Sequence, residues 1–199
     1  LLIELVSSGD PAARAAARAS LAKTACGETV ALIRAELNRA PAALRVDLIE
    51  VLTTRRALEA LPDLLQAAVD DDGSVRSAAM TGLGQLAGAQ EVPEMVRGVL
   101  KASRGSDRQA AERSLLLVCN RAKTENAKAE PLLDAVNALS DADRQAILPT
   151  LGRTGGEGAL KMIESAIADQ DPALHDLGVR SLCNWPSAAI APRLKELAT

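Results

Sequence analysis

The segment DGSVRSAAMTGLG at residues 72–84 decides the fold of this chain. It begins with an aspartate, continues with small and aliphatic residues, and ends with a large aliphatic residue followed by glycine. Segments with the same order also begin at residues 10, 41, 107, 140 and 171, so that consecutive starts are separated by 31, 31, 35, 33 and 31 residues. A repeat of this length predicts stacked supersecondary units that bury a continuous core.

Each repeat is predicted to contain two helices joined by a turn. In the first helix, the residues at offsets 3, 7, 10 and 11 from the start lie on one side, which is predicted to be buried. In the second helix, Pro62, Pro93 and Pro192 share one position, and proline suits a first helical turn because its missing N–H would have no partner there. The aliphatic residue at offset 11 always precedes a small one, in the pairs Leu21 and Ala22, Leu52 and Thr53, Leu83 and Gly84, Val118 and Cys119, Leu151 and Gly152, and Leu182 and Cys183.

The composition favours an all-α fold. The 199 residues are 48% hydrophobic but include neither Phe nor Tyr, and Trp185 is the single tryptophan. Alanine and leucine, which favour helices, supply most of the apolar residues, whereas residues that favour strands are scarce. Trp185 is predicted to cap the core of the last repeat. No run of apolar residues is long enough to span a membrane.

The charge distribution argues against a general binder of nucleic acids. The net charge is −3, whereas proteins that bind phosphate backbones concentrate positive charge on one face. Short basic clusters occur at Arg55 and Arg56, and at Lys101, Arg104 and Arg108. Since helices often carry such clusters on a solvated face, nucleic-acid binding ranks behind the other functions considered below.

The repeat resembles the HEAT repeats, in particular the short bacterial type associated with phycobilisome lyases. The resemblance covers essentially the whole chain. It implies a right-handed α-solenoid of about six helical hairpins that forms a single domain over residues 1–199. Because both ends interrupt the repeat, we expect the chain to be a segment of a larger protein. The pattern that carries the resemblance is D-x-x-V-R-x-x-A-x-x-x-L-G, which corresponds here to Asp72, Val75, Arg76, Ala79, Leu83 and Gly84.

Proteins with this repeat include scaffolds, lyases and glycosylases, so the resemblance leaves the function open. The leading hypothesis is a non-enzymatic scaffold that binds another protein or another domain of its parent chain, and that is itself a monomer. The alternative is a lyase-like protein that acts on a tetrapyrrole or another prosthetic group, and nucleic-acid binding ranks third. No signal peptide is visible in this segment, so the cytoplasm is only the default location and the compartment is unknown.

A binding strip is predicted along the first helices of the repeats. These helices are expected to line the concave surface of the solenoid, with the residues at offsets 5 and 9 pointing outward. The strip residues are Glu50, Ser77, Thr81, Glu112, Leu116, Gln145, Asp176 and Arg180.

No catalytic, cofactor-binding or metal-binding residue is predicted. His175 is the only histidine, and without a partner nucleophile at a recognisable spacing it is not expected to be a general base. A single histidine also excludes the di-iron enzymes of this fold, which need several His–Glu pairs. The family resemblance implies that a cation at this position binds an aspartate of a neighbouring repeat, so His175 is interpreted as a substitute for the arginines Arg14, Arg45, Arg76 and Arg144.

The glycines and cysteines also have structural interpretations. The stretch GRTGGEG at residues 152–158 follows a predicted helix, whereas phosphate-binding loops follow a strand. Gly88 and Gly156 are therefore predicted to end helices in the left-handed conformation. Cys119 and Cys183 occupy the small-residue position and are predicted to be packed, whereas Cys26 is predicted to lie in an exposed turn.

Three consecutive carboxylates, at Asp70, Asp71 and Asp72, precede the template segment. Asp72 is predicted to cap a helix, because its side chain can accept hydrogen bonds from unpaired N–H groups. Asp70 and Asp71 are interpreted as extra charge in a tight turn rather than as metal ligands. At the same position of other repeats, Asp10, Asp107, Ser140 and Asp171 are predicted to cap helices in the same way. A metal site would not tolerate Ser140, or Pro41 in the remaining repeat, at that position.

Two insertions interrupt the repeat. The stretch KASRGS precedes the start at residue 107 and is predicted to form an enlarged basic loop at residues 101–107, and a smaller insertion falls within residues 119–131. Insertions in solenoids often lie on the binding face. Lengthened loops are also tolerated without any function, so both interpretations stay open.

Overall fold

The computed structural model describes residues 2–6, 10–24 and 27–198. These residues form α-helices, short 3-10 helices, turns and bends, with no strand among them. The prediction of an all-α fold is confirmed. None of the helices in the described part of the chain is both long and apolar enough to cross a membrane.

The chain divides into two compact units, of which the first contains Leu1–Ala87 and Lys101–Ser114 and the second contains Gly88–Leu100 and Leu115–Thr199. The helices of the first unit are α1 (Leu2–Val6), α2 (Pro11–Lys23), α3 (Thr29–Leu37), α4 (Ala42–Thr54), α5 (Leu61–Ala67) and α6 (Gly73–Leu86). The remaining helices are α7 (Val92–Lys101), α8 (Ser106–Cys119), α9 (Glu125–Asn137), α10 (Asp141–Gly152), α11 (Glu157–Ile167), α12 (Pro172–Leu182) and α13 (Ala191–Leu197). The first nine residues of α8 belong to the first unit, and its remaining residues belong to the second.

Within each unit, the second helix of one repeat packs on the first helix of the next. In the first unit α3 packs on α4 and α5 packs on α6, and in the second α9 packs on α10 and α11 packs on α12. The first helices of successive repeats also lie side by side, α4 against α6 and α10 against α12. Aliphatic residues fill these contacts, and full burial of each contributes about 1.5–3 kcal/mol. Fully buried examples are Leu48 and Leu83 in the first unit, and Ile147 and Leu151 in the second.

The predicted helix caps are confirmed at four repeats. The side chains of Asp10, Asp72, Ser140 and Asp171 accept hydrogen bonds from backbone N–H groups two or three residues further on. The prediction for Asp107 is wrong, because α8 begins at Ser106 and Asp107 lies inside its first turn. The Asp107 carboxylate there accepts a hydrogen bond from the N–H of Ser103 at 2.9 Å.

The predicted buried face of α8 is also wrong in part. Leu117, at offset 10 from residue 107, is 59% exposed, whereas Leu115 is fully buried. Residues 115–118 are four consecutive aliphatic residues, so the sequence pattern permits two rotations of the helix. Packing selects the rotation that places Ser114 against Gly84. The contact is close, since a β-carbon added to Gly84 would be 3.1 Å from the Ser114 Cβ.

The predicted enlarged loop at residues 101–107 does not form. Only residues 102–105 separate α7 from α8, whereas residues 68–72 separate α5 from α6. The extra residues lengthen a helix instead. The helix α7 has 10 residues, whereas α5, the second helix of the preceding repeat, has 7. The second insertion likewise lengthens α9, in which Pro131 lies in the interior rather than in the first turn.

Gly88 and Gly156 do not end helices as predicted. Gly88 is extended, with φ of −105°, because its N–H donates to the Glu91 carboxylate at 2.7 Å in a tight turn. Gly155 and Gly156 do have positive φ angles, of 74° and 90°. Gly156, however, is the residue that precedes α11 and not the residue that ends α10.

Candidate functional site

The predicted strip residues fall in both units. Glu50, Ser77, Thr81 and Glu112 belong to the first unit, and Leu116, Gln145, Asp176 and Arg180 belong to the second. All are exposed except Glu112 and Leu116, which are half-buried. Their role in binding stays a prediction.

Part of the strip in the first unit is engaged in an ion-pair network. Arg18 of α2 donates to Glu50 at 2.6 Å and to Asp47 at 2.7 Å, both on α4. The Thr81 hydroxyl donates to the carbonyl of Ser77 at 2.8 Å. A partner that uses Glu50 therefore competes with Arg18 for the carboxylate.

On α8 the outward positions differ from the predicted ones. Arg113 and Leu117 are exposed on this helix, whereas the predicted residues Glu112 and Leu116 are half-buried. Sequence reasoning missed Arg113 and Leu117 because the run of aliphatic residues conceals the rotation of the helix.

Arginine side chains join helices and turns of the first unit. Arg45 forms a bidentate ion pair with Asp70. Arg76, which is only 7% exposed, donates to the carbonyls of Asp70 and Asp71 at 2.8 and 2.9 Å and pairs with Asp107 at 3.4 Å. The predicted bond to an aspartate of a neighbouring repeat is therefore confirmed for Arg76, whereas Asp70 precedes the start at residue 72 and belongs to the same repeat as Arg45.

Arg144 and His175 of the second unit use other partners. Arg144 donates to the Leu139 carbonyl at 3.4 Å and lies 3.6 Å from Asp141, so its ion pair is within its own helix and the prediction of a neighbouring aspartate is wrong for it. His175 Nδ1 lies 2.6 Å from the carbonyl oxygen of Ile167. Arg76 and His175 thus both donate to a carbonyl that precedes their own helix. This shared contact supports the interpretation of His175 as a structural substitute for arginine.

The three carboxylates at residues 70–72 each have a separate partner. Asp70 binds Arg45, Asp71 binds Lys101 at 2.9 Å, and Asp72 caps α6. The interpretation of Asp70 and Asp71 as extra turn charge is therefore incomplete, because both carboxylates anchor cations from other helices. The Lys101 hydrogen bond lowers the pKa of Asp71, and the Ser74 hydroxyl, aided by the backbone N–H groups of Val75 and Ser74, lowers the pKa of Asp72.

One member of each basic cluster is held by partners within the chain. Arg55 donates to the carbonyls of Leu21 and Thr24 at 2.6 and 2.9 Å, at the C-terminal end of α2. Lys101 is paired with Asp71. Among the described residues, no group of three or more His, Cys, Asp or Glu side chains is arranged to hold a metal ion.

The cysteines and the tryptophan occupy different environments. Cys119 is buried, as predicted, and burial raises the pKa of its thiol to about 11. Cys183 is exposed, so its predicted packing is wrong: it is the residue that follows the end of α12. Trp185 is half-buried. Cys26 lies outside the described residues.

A cleft of about 1260 Å³ opens in the second unit. One face of α9 and one face of α11 form its two long sides, the first half of α10 contributes further lining, and Leu174 comes from α12. Its apolar lining residues are Ala127, Ala129, Leu133, Leu148, Met162, Ala166 and Leu174.

The second insertion builds one end of this cleft. The added residues extend α9 ahead of Pro131, and their Asn126 side chain accepts a hydrogen bond from the N–H of Glu157 at 2.9 Å, so the first turns of α9 and α11 are joined. Gly156 permits this close approach, since an added β-carbon would be 3.0 Å from the carbonyl oxygen of Glu125 and its φ of 90° disfavours other residues. Gln145 is a predicted strip residue that also lines the cleft.

Negative charge dominates the lining of the cleft. Two cations, Arg144 and Lys161, are outnumbered by carboxylates. Glu130 and Asp134 stand one helical turn apart on α9, and neither forms an ion pair with another described residue. The five carboxylates, all exposed, are Glu130, Asp134, Asp141, Glu157 and Asp169.

Comparison with known families identifies the repeat. Residues 30–116 match the family model of HEAT repeats. No curated protein matches the chain. HEAT repeats imply a helical solenoid, and proteins that contain them generally mediate protein interaction or scaffolding. Residues 30–116 are therefore similar to HEAT repeats, and this match supports a HEAT-like repeat for that part of the chain.

Proposed function

We propose that this chain is a non-enzymatic interaction module, a monomer that binds another protein or another domain of its parent chain. The cleft of the second unit is the observation that carries the proposal. Its volume of about 1260 Å³ exceeds the roughly 300–1,000 Å³ of typical small-molecule pockets. Its two sides are helix faces rather than loops, which suits an elongated segment of polypeptide.

The predicted strip is the second part of the proposed binding surface. Asp176 and Arg180 lie one turn apart on α12, where both are exposed. Gln145 belongs to the strip and to the cleft lining, so in the second unit one partner could contact both. In the first unit Ser77 and Thr81 are the exposed strip residues whose side chains form no ion pair.

The lyase alternative has less support from the cleft. A tetrapyrrole carries propionate groups, which the carboxylates of the lining would repel. Neither Cys119 nor Cys183 lines the cleft. The phycobilisome-lyase subtype stays a prediction, and a pigment that co-purifies with the protein would favour it.

Nucleic-acid binding is disfavoured on similar grounds. Carboxylates in the cleft repel phosphates, and Arg55 and Lys101 are held by partners within the chain. Salt-dependent retention of the protein on DNA would favour this function over the proposed one.

Site-specific photo-crosslinking tests the proposed function. A photoreactive amino acid replaces Leu133 or Met162 in the cleft, or Ser77 in the strip, and the protein is irradiated in the cells that produce it. Exposed positions outside both surfaces, Glu59 and Glu94, serve as matched controls. We expect one defined protein adduct, identified by mass spectrometry, from the cleft or strip positions and not from the controls.

The result must also depend on the surface itself. For the probes at Leu133 and Met162, a second substitution in the same lining, Gln145→Arg, is expected to remove the adduct while circular dichroism shows an unchanged fold. Equal adducts from the control positions, or none from any cleft or strip position, would show that the chain is not a module of this kind.

A further inference from the structure

The cleft has the dimensions of a short helix. Its lining extends from Asn126 to Asn137 along α9 and from Glu157 to Asp169 along and just beyond α11. At 1.5 Å per residue, twelve helical residues extend over about 17 Å, or roughly three turns. The two faces therefore offer a groove in which a helix of similar length can lie.

The lining has an apolar centre. Leu133 of α9 and Met162 of α11 are half-buried and face the cleft from its two sides. Ala129 and Ala166, which are buried, leave space beside them. Methionine adapts to different apolar surfaces, so this centre can receive a row of aliphatic side chains from a bound helix.

Carboxylates surround that centre. Glu130 and Asp134 lie on the α9 side, Glu157 lies at the start of α11, and Asp169 lies beyond its end. A bound helix with an acidic polar face would meet like charges on both sides, whereas a basic helix would meet opposite charges. Lys161 is the single cation on α11 that lines the cleft.

We infer that this cleft binds a basic amphipathic helix of the partner, with aliphatic residues directed at Leu133 and Met162 and lysine or arginine residues directed at the surrounding carboxylates. The inference rests on the proposed function and specifies the chemistry of the partner segment.

Peptide binding measures the predicted charge preference. The probe is a fluorescent amphipathic helical peptide of about 15 residues, long enough for partial helicity in water, with leucine on one face and lysine on the other. The comparison peptide carries glutamate in place of every lysine. We expect the full chain to bind the lysine peptide at least about tenfold more tightly, by fluorescence anisotropy, and to lose affinity as salt is added.

Charge-reversal variants locate the binding site. Glu130→Lys combined with Asp134→Lys is expected to weaken the lysine peptide about tenfold. The control pair Glu59→Lys and Glu94→Lys changes the net charge equally at exposed positions outside the cleft, and it should leave affinity within about twofold. The neutral pair Glu130→Gln and Asp134→Asn, which keeps side-chain size, should give an intermediate loss and covers the case in which charge reversal disturbs the fold.

The outcomes separate this inference from the proposed function. Equal affinity for the two peptides, or equal losses in the cleft and control pairs, would overturn the basic-helix inference. If photo-crosslinks still formed at Leu133 and Met162, the interaction module would stand with a partner of different chemistry. Absence of both peptide binding and crosslinks would remove both proposals.

Discussion

Gly152 of α10 lies so close to Ser181 of α12 that an added β-carbon would be 2.3 Å from the Ser181 carbonyl oxygen. The helices α10 and α12 pack directly on one another, and Ser181 is fully buried. The Ser181 carbonyl belongs to the backbone, which cannot move aside as a flexible side chain can. At this position the small residue after the large aliphatic one is therefore a packing requirement between the first helices of neighbouring repeats.

Gly152→Ala is expected to lower the free energy of unfolding by about 2 kcal/mol, because overpacking forces the two helices apart. Urea denaturation measures the change. Gly73→Ala is the control: a β-carbon there meets only the end of the Arg76 side chain, at 3.4 Å, and alanine favours the helix. A stability of Gly152→Ala equal to that of the unmodified protein would show that the α10–α12 contact is looser than the structure indicates.

Arg76→Ala is expected to destabilise the first unit by about 3 kcal/mol, because it leaves the carbonyls of Asp70 and Asp71 without their donor and removes a buried side chain. Arg76→Lys should recover only part of the loss, since an ammonium cannot replace the planar guanidinium. Arg39→Ala removes an exposed ion pair with Glu36 and should cost at most about 0.5 kcal/mol. Equal effects at the two arginines in urea denaturation would contradict the structural role of Arg76.

Acid is expected to destabilise the protein partly through Asp72. The Ser74 hydroxyl and two backbone N–H groups lower the pKa of this carboxyl below its ordinary value of 3.8, so the folded state favours the ionised form. The stability that Asp72 contributes is fully present above the pKa of its carboxyl in the unfolded state. It is lost as the pH falls through the lower pKa of this carboxyl in the folded state.

Stability measured from about pH 6 to pH 2 tests this dependence. Asp72→Asn keeps a capping side chain that does not titrate, so its stability should fall less steeply below about pH 4. Parallel curves for the variant and the unmodified protein would show that Asp72 is not linked to folding.

Thiol labelling is expected to separate the cysteines. Burial raises the pKa of Cys119 to about 11, so at about pH 8 few of its thiols are ionised, whereas Cys183 is exposed. In a Cys26→Ser background, iodoacetamide should modify Cys183 more than about a hundredfold faster than Cys119. Mass spectrometry of the two peptides gives both rates, and unfolding in urea should equalise them. Rapid labelling of Cys119 in the native protein would mean that its packing opens readily.

Chelation is expected to leave stability unchanged. Asp70, Asp71 and Asp72 are engaged respectively by Arg45, by Lys101 and by the first turn of α6, so none is left to coordinate a cation. Thermal denaturation with EDTA, and with added calcium or magnesium, should give the same midpoint. A midpoint raised by either cation would show that the acidic turn binds metal.

Features that depend on neighbouring residues were predictable from the sequence. The caps at Asp72, Ser140 and Asp171 follow from short polar side chains just ahead of helical segments. The first-turn prolines of α5 and α7 follow from the missing N–H of proline. The small residues after large aliphatic ones likewise indicated where repeats approach closely, although only some of these positions, such as Gly152, are tightly packed.

The sequence by itself determined that the chain is helical, where most repeat helices begin and which family of repeats residues 30–116 resemble, because these properties lie in local patterns recurring along the chain. Only the tertiary structure decided the rotation of α8, the pairing of Asp70 with Arg45, and the extension of α9 that joins Asn126 to Glu157 at the cleft. Each of these depends on contacts between residues distant in sequence, where several arrangements satisfy the same apolar pattern and packing selects among them.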